Sequence, residues 1–415
     1  MRFPRAAGNT GSDSSLLNSL RIGAIAWASH YTTSNVDSRH VNHPYCARQG
    51  LGLGTMTLSF NIIGDAYVDY FCFLDQWPEN GGDSRLGEPV RSYAGGSSTN
   101  TATHLKSILG HFVPGDDEPE VVLNTVLNPQ DHYGQLLMQH AEKHGFPLIN
   151  CRRDDDHSST GHCIAIVSGG ERSFMTHQGC VENFLASDLD TERIIQADSA
   201  VHVHVAGYFN VTGFWHGNLK EQLIHIRNER RKRRPGRMTT VSLVTQHDAS
   251  NAWDGGLDEV IPSLDFLVMN DLEASKILRR GKDLDPNVDI VEQWISFFSP
   301  LNPKAVIVVT RGVDGAVAFR DGELIAALAP AITVEAIDPT GAGDSFTAGF
   351  LHGIWNWKRQ RGEIDNNGWS ADAVKEGLLF GCASGSSTVS IRGASVPADP
   401  QDIMNVYEQQ IKKGA

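Results

Sequence analysis

Apolar residues run almost unbroken through TLSFNIIGDAYVDYF (57–71) and pause at Gly64-Asp65, as in a buried strand that ends in a loop. Next, YAGGSSTNTATHLKSILG (93–110) opens on a glycine pair and continues with Ala102, Leu105, Ile108 and Leu109 at helical spacing. That spacing predicts a helix closed by Gly110. A strand in VVLNTVL precedes a helix in GQLLMQHAEKHG, and CIAIVSGGERSFMTH (163–177) reads as a hairpin turning at Gly169-Gly170. Strands in VHVHVAGYF, VSLVTQHD, FLVMN, AVIVVTRGVDGAVAF and TVEAI (333–337) then alternate with helices. The predicted fold is α/β: a doubly wound, mostly parallel central sheet flanked by helices, with a small antiparallel β flap or lid.

Composition adds limits. A chain of 415 residues with 40% hydrophobic and 8% aromatic residues can bury a large core. Its net charge of -14 argues against a general affinity for nucleic acid or anionic membrane. No apolar run reaches the roughly 20 residues needed to cross a bilayer. The cysteines Cys46, Cys72, Cys151, Cys163, Cys180 and Cys382 form no C-x-x-C pair and read as free thiols of a reducing, cytoplasmic compartment. Up to about Thr55 the chain carries Arg2, Arg5, Arg21, Arg39 and Arg48 against only Asp13 and Asp37. Residues 1–55 are expected to form a poorly structured extension, with organellar import left open by that acid-poor bias. The domain proper is expected over 56–415, with the lid built from segments near 66–95 and 160–180. RNERRKRRPGR (227–237) reads as the solvated end of a helix, with a nucleic-acid patch as the alternative.

The chemistry concentrates in DPTGAGDSFTAGF (338–350). Gly341, Ala342 and Gly343 turn the chain into a helix whose first N–H groups form an anion hole. A carboxylate beside such a hole, Asp344, repels a statically bound phosphate. It makes sense as a base that takes a proton from a hydroxyl attacking a phosphoryl group. Alone, the stretch reads equally well as a capped helix.

Three further stretches decide. GGSSTN carries Gly95, Gly96 and Asn100; NDLE carries Asn270 and Glu273; TRGVDG carries Thr310, Gly312 and Gly315. With DPTGAGD these follow, in order, the patterns G-G-x-x-x-N, N-x-x-E, T-x-G-x-x-G and D-T-x-G-A-G-D, departing only at Pro339. The chain resembles the ribokinase, or pfkB, family of carbohydrate kinases from about Thr57 to its end.

The resemblance implies an ATP-dependent kinase acting on a small sugar, with Asp344 as general base and the backbone of Gly341, Ala342 and Gly343 as the anion hole. It implies acceptor contacts from Asp69, Gly95, Gly96, Asn100 and Glu171. Nucleotide contacts would come from Asn270, Thr310, Gly312, Gly315 and the helix holding Cys382, whose small neighbours Gly381, Ala383 and Gly385 equally suit close packing. Glu273 would organise Mg²⁺ through water, and Asp338, Thr340, Gly393 and Ser395 match a monovalent-cation (K⁺) site of some members. A homodimer through the lid sheet is a further expectation. The alternatives are a nucleoside kinase of the adenosine type, or a non-catalytic sugar- or nucleotide-binding member serving as sensor or scaffold.

Overall fold

The computed structural model describes residues 58–77, 79–113, 115–168, 171–280, 283–328 and 336–414. The extension expected over 1–55, the Gly169-Gly170 turn and most of the strand expected at TVEAI lie outside the described residues.

The apolar run at 57–71 becomes two strands, β1 (Leu58–Gly64) and β2 (Tyr67–Phe73), broken where the pattern pauses. They are followed by β3 (Arg91–Gly95), α1 (Ser97–Phe112), β4 (Glu120–Thr125), α2 (His132–His144), β5 (Leu148–Asn150), β6 (His162–Ser168) and β7 (Glu171–His177). Next come α3 (Thr191–Gln196), β8 (Ala200–Ala206), α4 (Asn218–Arg233), β9 (Thr239–Val244), α5 (Leu257–Val260), β10 (Phe266–Asn270), α6 (Asp271–Leu278) and α7 (Ile290–Phe298). The order closes with β11 (Val306–Thr310), β12 (Ala316–Arg320), β13 (Glu323–Leu328), α8 (Ala342–Gln360), α9 (Ala371–Thr388) and α10 (Pro400–Gly414).

Nine strands form the central sheet in the order β13-β12-β11-β10-β9-β8-β1-β4-β5. It is parallel from β11 to β5, and β12 and β13 add an antiparallel edge. The chain winds outward from β1 through β4 to β5, then restarts on the other side of β1 at β8. The switch point of this doubly wound sheet therefore lies between β1 and β8, and a crevice opens at the carboxyl ends of those strands.

Both sheet faces are covered. On one, Val203, Leu243, Met269 and Val309 pack with Leu223 of α4, Ile277 of α6 and Trp294 of α7 in one apolar core. On the other, Phe60 and Phe266 meet Trp355 and Phe350 of α8. His202 and His204 of β8 point into this second layer. Hydroxyls of Thr240 and Ser242 stand 2.7–2.8 Å from their ring nitrogens, so an alternating VHVHV strand is buried throughout.

The lid is a separate sheet of order β3-β2-β6-β7. Its outer pairs are antiparallel, as expected of a flap, while the central β2–β6 pair is parallel because some 90 residues of crossover separate those strands. Helix α1 passes Gly110 and ends at Phe112, capped by the Val113 N–H donating to the Leu109 carbonyl. Phe112 packs on His352 and Phe380, so tertiary contact outweighs the glycine.

The basic run is not simply solvated. Arg230 is fully buried, and its guanidinium donates to the carbonyls of Ile194, Ala197 and Ser199 at 2.6–2.9 Å, satisfying the open C-terminal end of α3. Arg233 and Arg237 pair with Glu192 and Asp365. Arg230→Ala is expected to lower stability by about 3 kcal/mol, since it strands several buried carbonyls at once. A urea midpoint unchanged from wild type would contradict this role.

Candidate active site

The carboxyl ends of β1, β8, β9, β10 and β11 supply the crevice floor, the lid its roof, and the N-termini of α1 and α8 its two ends. At α8, the Pro339 carbonyl accepts the Ala342 N–H at 3.2 Å. This closes a turn whose third residue, Gly341, has φ 79 and ψ -1. Those are type II dihedrals, which favour glycine. A Cβ there would also run into the Ala394 carbonyl.

Pro339 costs the loop no hydrogen bond. Val389 accepts from the N–H groups of Ile337 and Asp338, and the Asp338 carboxylate accepts from Thr340 and Gly393 at 3.0–3.1 Å. The expected anion hole is thereby narrowed. Ala342 donates within the turn and Ser345 to Gly341, so the first-turn N–H groups of Gly343 and Asp344 remain for an outside acceptor. Nothing lies within 4 Å of where a Cβ would stand on Gly343, so that side is open.

Asp344 is 4% exposed and takes hydrogen bonds from three side chains. Ser97 Oγ donates to Oδ1 at 2.6 Å, Gln246 Nε2 to the same oxygen at 3.1 Å, and Asn100 Nδ2 to Oδ2 at 2.8 Å. Oδ1 is saturated, whereas Oδ2 keeps a lone pair for a proton. Burial pushes the Asp344 carboxyl up to about 7, against the pull of its Ser97 and Asn100 hydrogen bonds. A carboxylate in that range is matched to proton transfer at neutral pH.

Two more carboxyls share this half of the crevice. Asp69 in β2 faces it from the lid; burial, followed by the charges of Asp65, Asp344 and Asp338, pushes it up to about 7. Its carboxylate lies so close to Gly95 in the paired strand β3 that a Cβ there would overlap it. Asp65 follows β1 at the switch point; burial pushes it up to about 6, although Asn210 Nδ2 donates to it at 2.7 Å. Gly96 caps α1, and its carbonyl accepts the Asn100 N–H at 3.0 Å. The side chain of Glu171, at the start of β7, lies outside the described residues.

On the other half of the crevice, Asn270 ends β10 opposite Thr310 of β11. Asn270 and Glu273 form a reciprocal capping box on α6: Glu273 N–H donates to Asn270 Oδ1 at 2.8 Å, and the carboxylate receives Asn270 N–H and Nδ2. Thr245 Oγ1 also donates to Glu273 at 2.8 Å, and burial raises this carboxyl. Gly312 and Gly315 frame the turn after β11, where the Arg311 N–H donates to the Gly315 carbonyl at 2.7 Å.

Cys382 is buried within α9, its thiol pushed up to about 12 by that burial. Its neighbours Gly381 and Gly385 sit against Phe346 and Ala342 of α8, so these small residues bring the two helices together. Ser395 Oγ donates to the Ala94 carbonyl of β3 at 2.6 Å, tying the Asp338–Gly393 loop to the lid.

The structure thus brings Asp344, Asn100, Gly95, Gly96 and Asp69 together around one cleft, with Asn270, Glu273 and Thr310 along its continuation. Sequence reasoning missed Ser97, Gln246, Thr245 and Asp65. For Asp65, Thr245 and Ser97 a signal was available: polar residues directly after the apolar stretches FNIIG and VSLV, and a serine inside the GGSSTN turn.

The pfkB family carbohydrate kinase model matches residues 61–401. The adenosine kinase of Schizosaccharomyces pombe is 25% identical over 278 residues, which is 65% of this chain and 76% of the relative. That of Saccharomyces cerevisiae is 24% identical over 335 residues, 80% of this chain and 89% of the relative. Among solved structures, the ribokinase from Giardia lamblia matches the fold with a TM-score of 0.66 at 17% identity, over 86% of this chain and 100% of that one. With the family match covering the lid, the switch point and the GAGD turn, the chain belongs to the pfkB family of carbohydrate kinases, and it is a kinase.

Proposed function

We propose that this kinase transfers the γ-phosphoryl group of ATP to a hydroxyl of a small sugar. The observation that carries the reading is the convergence of Ser97, Asn100 and Gln246 on one buried carboxylate, Asp344, at the mouth of an open helix N-terminus. In this reading Asp344 Oδ2 accepts the acceptor's proton as its oxygen bonds to the γ-phosphorus. The bond from phosphorus to the bridging oxygen breaks, and ADP leaves with that electron pair. The Gly343 and Asp344 N–H groups hold the charge spread over the transferred oxygens.

The acceptor end favours a polyol. Asp69 offers a carboxylate to paired hydroxyls, and Asn100 Oδ1 is buried with no partner among the described residues, a site for one further hydroxyl. The crevice around Asp69 and Asp344 is acidic, which disfavours an acceptor that already carries a phosphate.

Mg²⁺ supplies charge neutralisation on the phosphates of ATP. Both Glu273 oxygens already accept protein donors, so this carboxylate fits an outer role, holding hydrated Mg²⁺ through water. The Asp338 loop, with its carboxylate tied to Thr340 and Gly393, is the proposed K⁺ position. The lid edge strand β7 exposes Phe174 and Met175, one on each face of the lid sheet, and its free edge is suited to pairing with a second lid.

A nucleoside acceptor is the second reading, favoured by the adenosine kinases among the relatives. ADP release measured over a panel of sugars and nucleosides is expected to show turnover with at least one free sugar exceeding that with every nucleoside. Preference for adenosine would move the assignment to the second reading. Release with no acceptor in either class would overturn both.

A further inference from the structure

Thr245 and Gln246 follow β9 at the carboxyl end of the central sheet. Gln246 has φ 63, the left-handed region, which a residue with a long side chain adopts only when its surroundings hold it there. The holding contacts are local. The Thr245 carbonyl accepts the Phe209 N–H at 3.1 Å, and the Thr245 hydroxyl donates to Glu273 at 2.8 Å. The Asp248 carboxylate accepts the Ser250 N–H at 2.8 Å, fixing the chain on the far side.

The unusual backbone turns the Gln246 amide toward α1 and α8. Its Nε2 group donates toward two neighbouring oxygens, Ser97 Oγ at 3.0 Å and Asp344 Oδ1 at 3.1 Å. Ser97 in turn donates to that same Oδ1 at 2.6 Å. A closed triangle of hydrogen bonds thereby fixes the rotamer of Asp344 and leaves Oδ2 as the oxygen able to take a proton.

We infer that Gln246 is a positioning residue for the phosphoryl-transfer reaction, its strained backbone holding an amide that orients Asp344 and selects which carboxylate oxygen is basic. The same dipeptide joins the two halves of the crevice. Thr245 touches Glu273 on the phosphate side, and Gln246 touches Asp344 on the acceptor side, with one peptide bond between them. The inference rests on Asp344 being the base.

The titratable groups facing Asp344 are Asp65 after β1, Asp69 in β2 of the lid and Glu273 in α6, all acidic. Gln246 donates to the ionised form of Asp344, so its removal makes that form harder to reach. The acidic limb of kcat then moves up in pH.

Gln246→Gly relieves the left-handed strain and deletes the amide; Gln246→Glu keeps the size and adds a fourth carboxylate. With the best acceptor of the sugar and nucleoside panel, Gln246→Gly is expected to lower kcat about tenfold, with the KM for ATP within about twofold of wild type. Its acidic limb should move up by about one pH unit, and its melting temperature should equal or exceed that of wild type. Gln246→Glu should move the limb further. In the ligand-free proteins, carboxyl ¹³C titration of Asp344 should follow the same order.

An unchanged pH profile and an unchanged Asp344 titration in both variants would overturn the inference. So would a Gln246→Gly protein that is slow only because it has lost thermal stability. Asp344→Asn, run beside them, separates the two claims: full turnover there refutes the base itself, whereas collapse there with normal Gln246 variants refutes only the positioning role.

Discussion

Asn in place of Asp344 is expected to cut turnover on the order of 10³-fold while ATP still binds. The substitution preserves volume and can still accept from Ser97, so the helix N-terminus and the Gly341 turn stay in place. What it removes is the only group among those around Oδ2 that can take a proton from the attacking hydroxyl. The wild-type pH profile should carry the same signature. Burial holds the Asp344 carboxyl near 7, so the ionised base is lost as pH falls through that value, and kcat should fall with it.

Stability runs the opposite way. The folded carboxyl binds its proton more tightly than the unfolded one, so its contribution is complete below the ordinary aspartate value and is lost as pH rises through about 7. At pH 8 Asp344→Asn should therefore melt at or above the wild-type temperature while being nearly inactive. Paired activity and melting curves check both halves. Turnover equal to wild type, or a parallel loss of stability and activity, would remove Asp344 from the mechanism.

Much of this was legible in the chain. The alternation of strands and helices implied the doubly wound sheet, because strands buried on both faces read as continuous apolar runs. Four short motifs marked the turns where backbone must face a ligand. What could not be read was which side chains meet across the crevice. Ser97 and Asp344 are 247 positions apart, and only the strand order places their helix N-termini side by side. Gln246 was invisible for a second reason: no propensity favours a left-handed glutamine, so its conformation follows from the contacts of Thr245 and Asp248 on either side. The Asn270–Glu273 motif was found for its ligand role, yet its geometry is first that of a helix cap, two uses that share one spacing. In the basic run, charge suggested solvent, and only the otherwise unpartnered carbonyls at the end of α3 explain why Arg230 is buried instead.

The acceptor end yields the second large effect. Asp69→Asn is expected to raise the KM for the sugar roughly 30- to 100-fold with little change in the KM for ATP, the size of losing charged hydrogen bonds to hydroxyls. The pH dependence makes the prediction specific. Burial and the neighbouring carboxylates hold Asp69 near 7, so below that pH it carries a proton and accepts fewer hydroxyl donors. In wild type the KM for the acceptor should climb as pH falls from 8 to 6, whereas in Asp69→Asn it should be high and nearly flat. A change confined to kcat, or equal losses for ATP and acceptor, would mean that Asp69 shapes the cleft without touching the sugar. The acceptor-specific KM effect is what distinguishes a binding carboxylate from a buried structural one, and steady-state kinetics with both substrates varied would decide it.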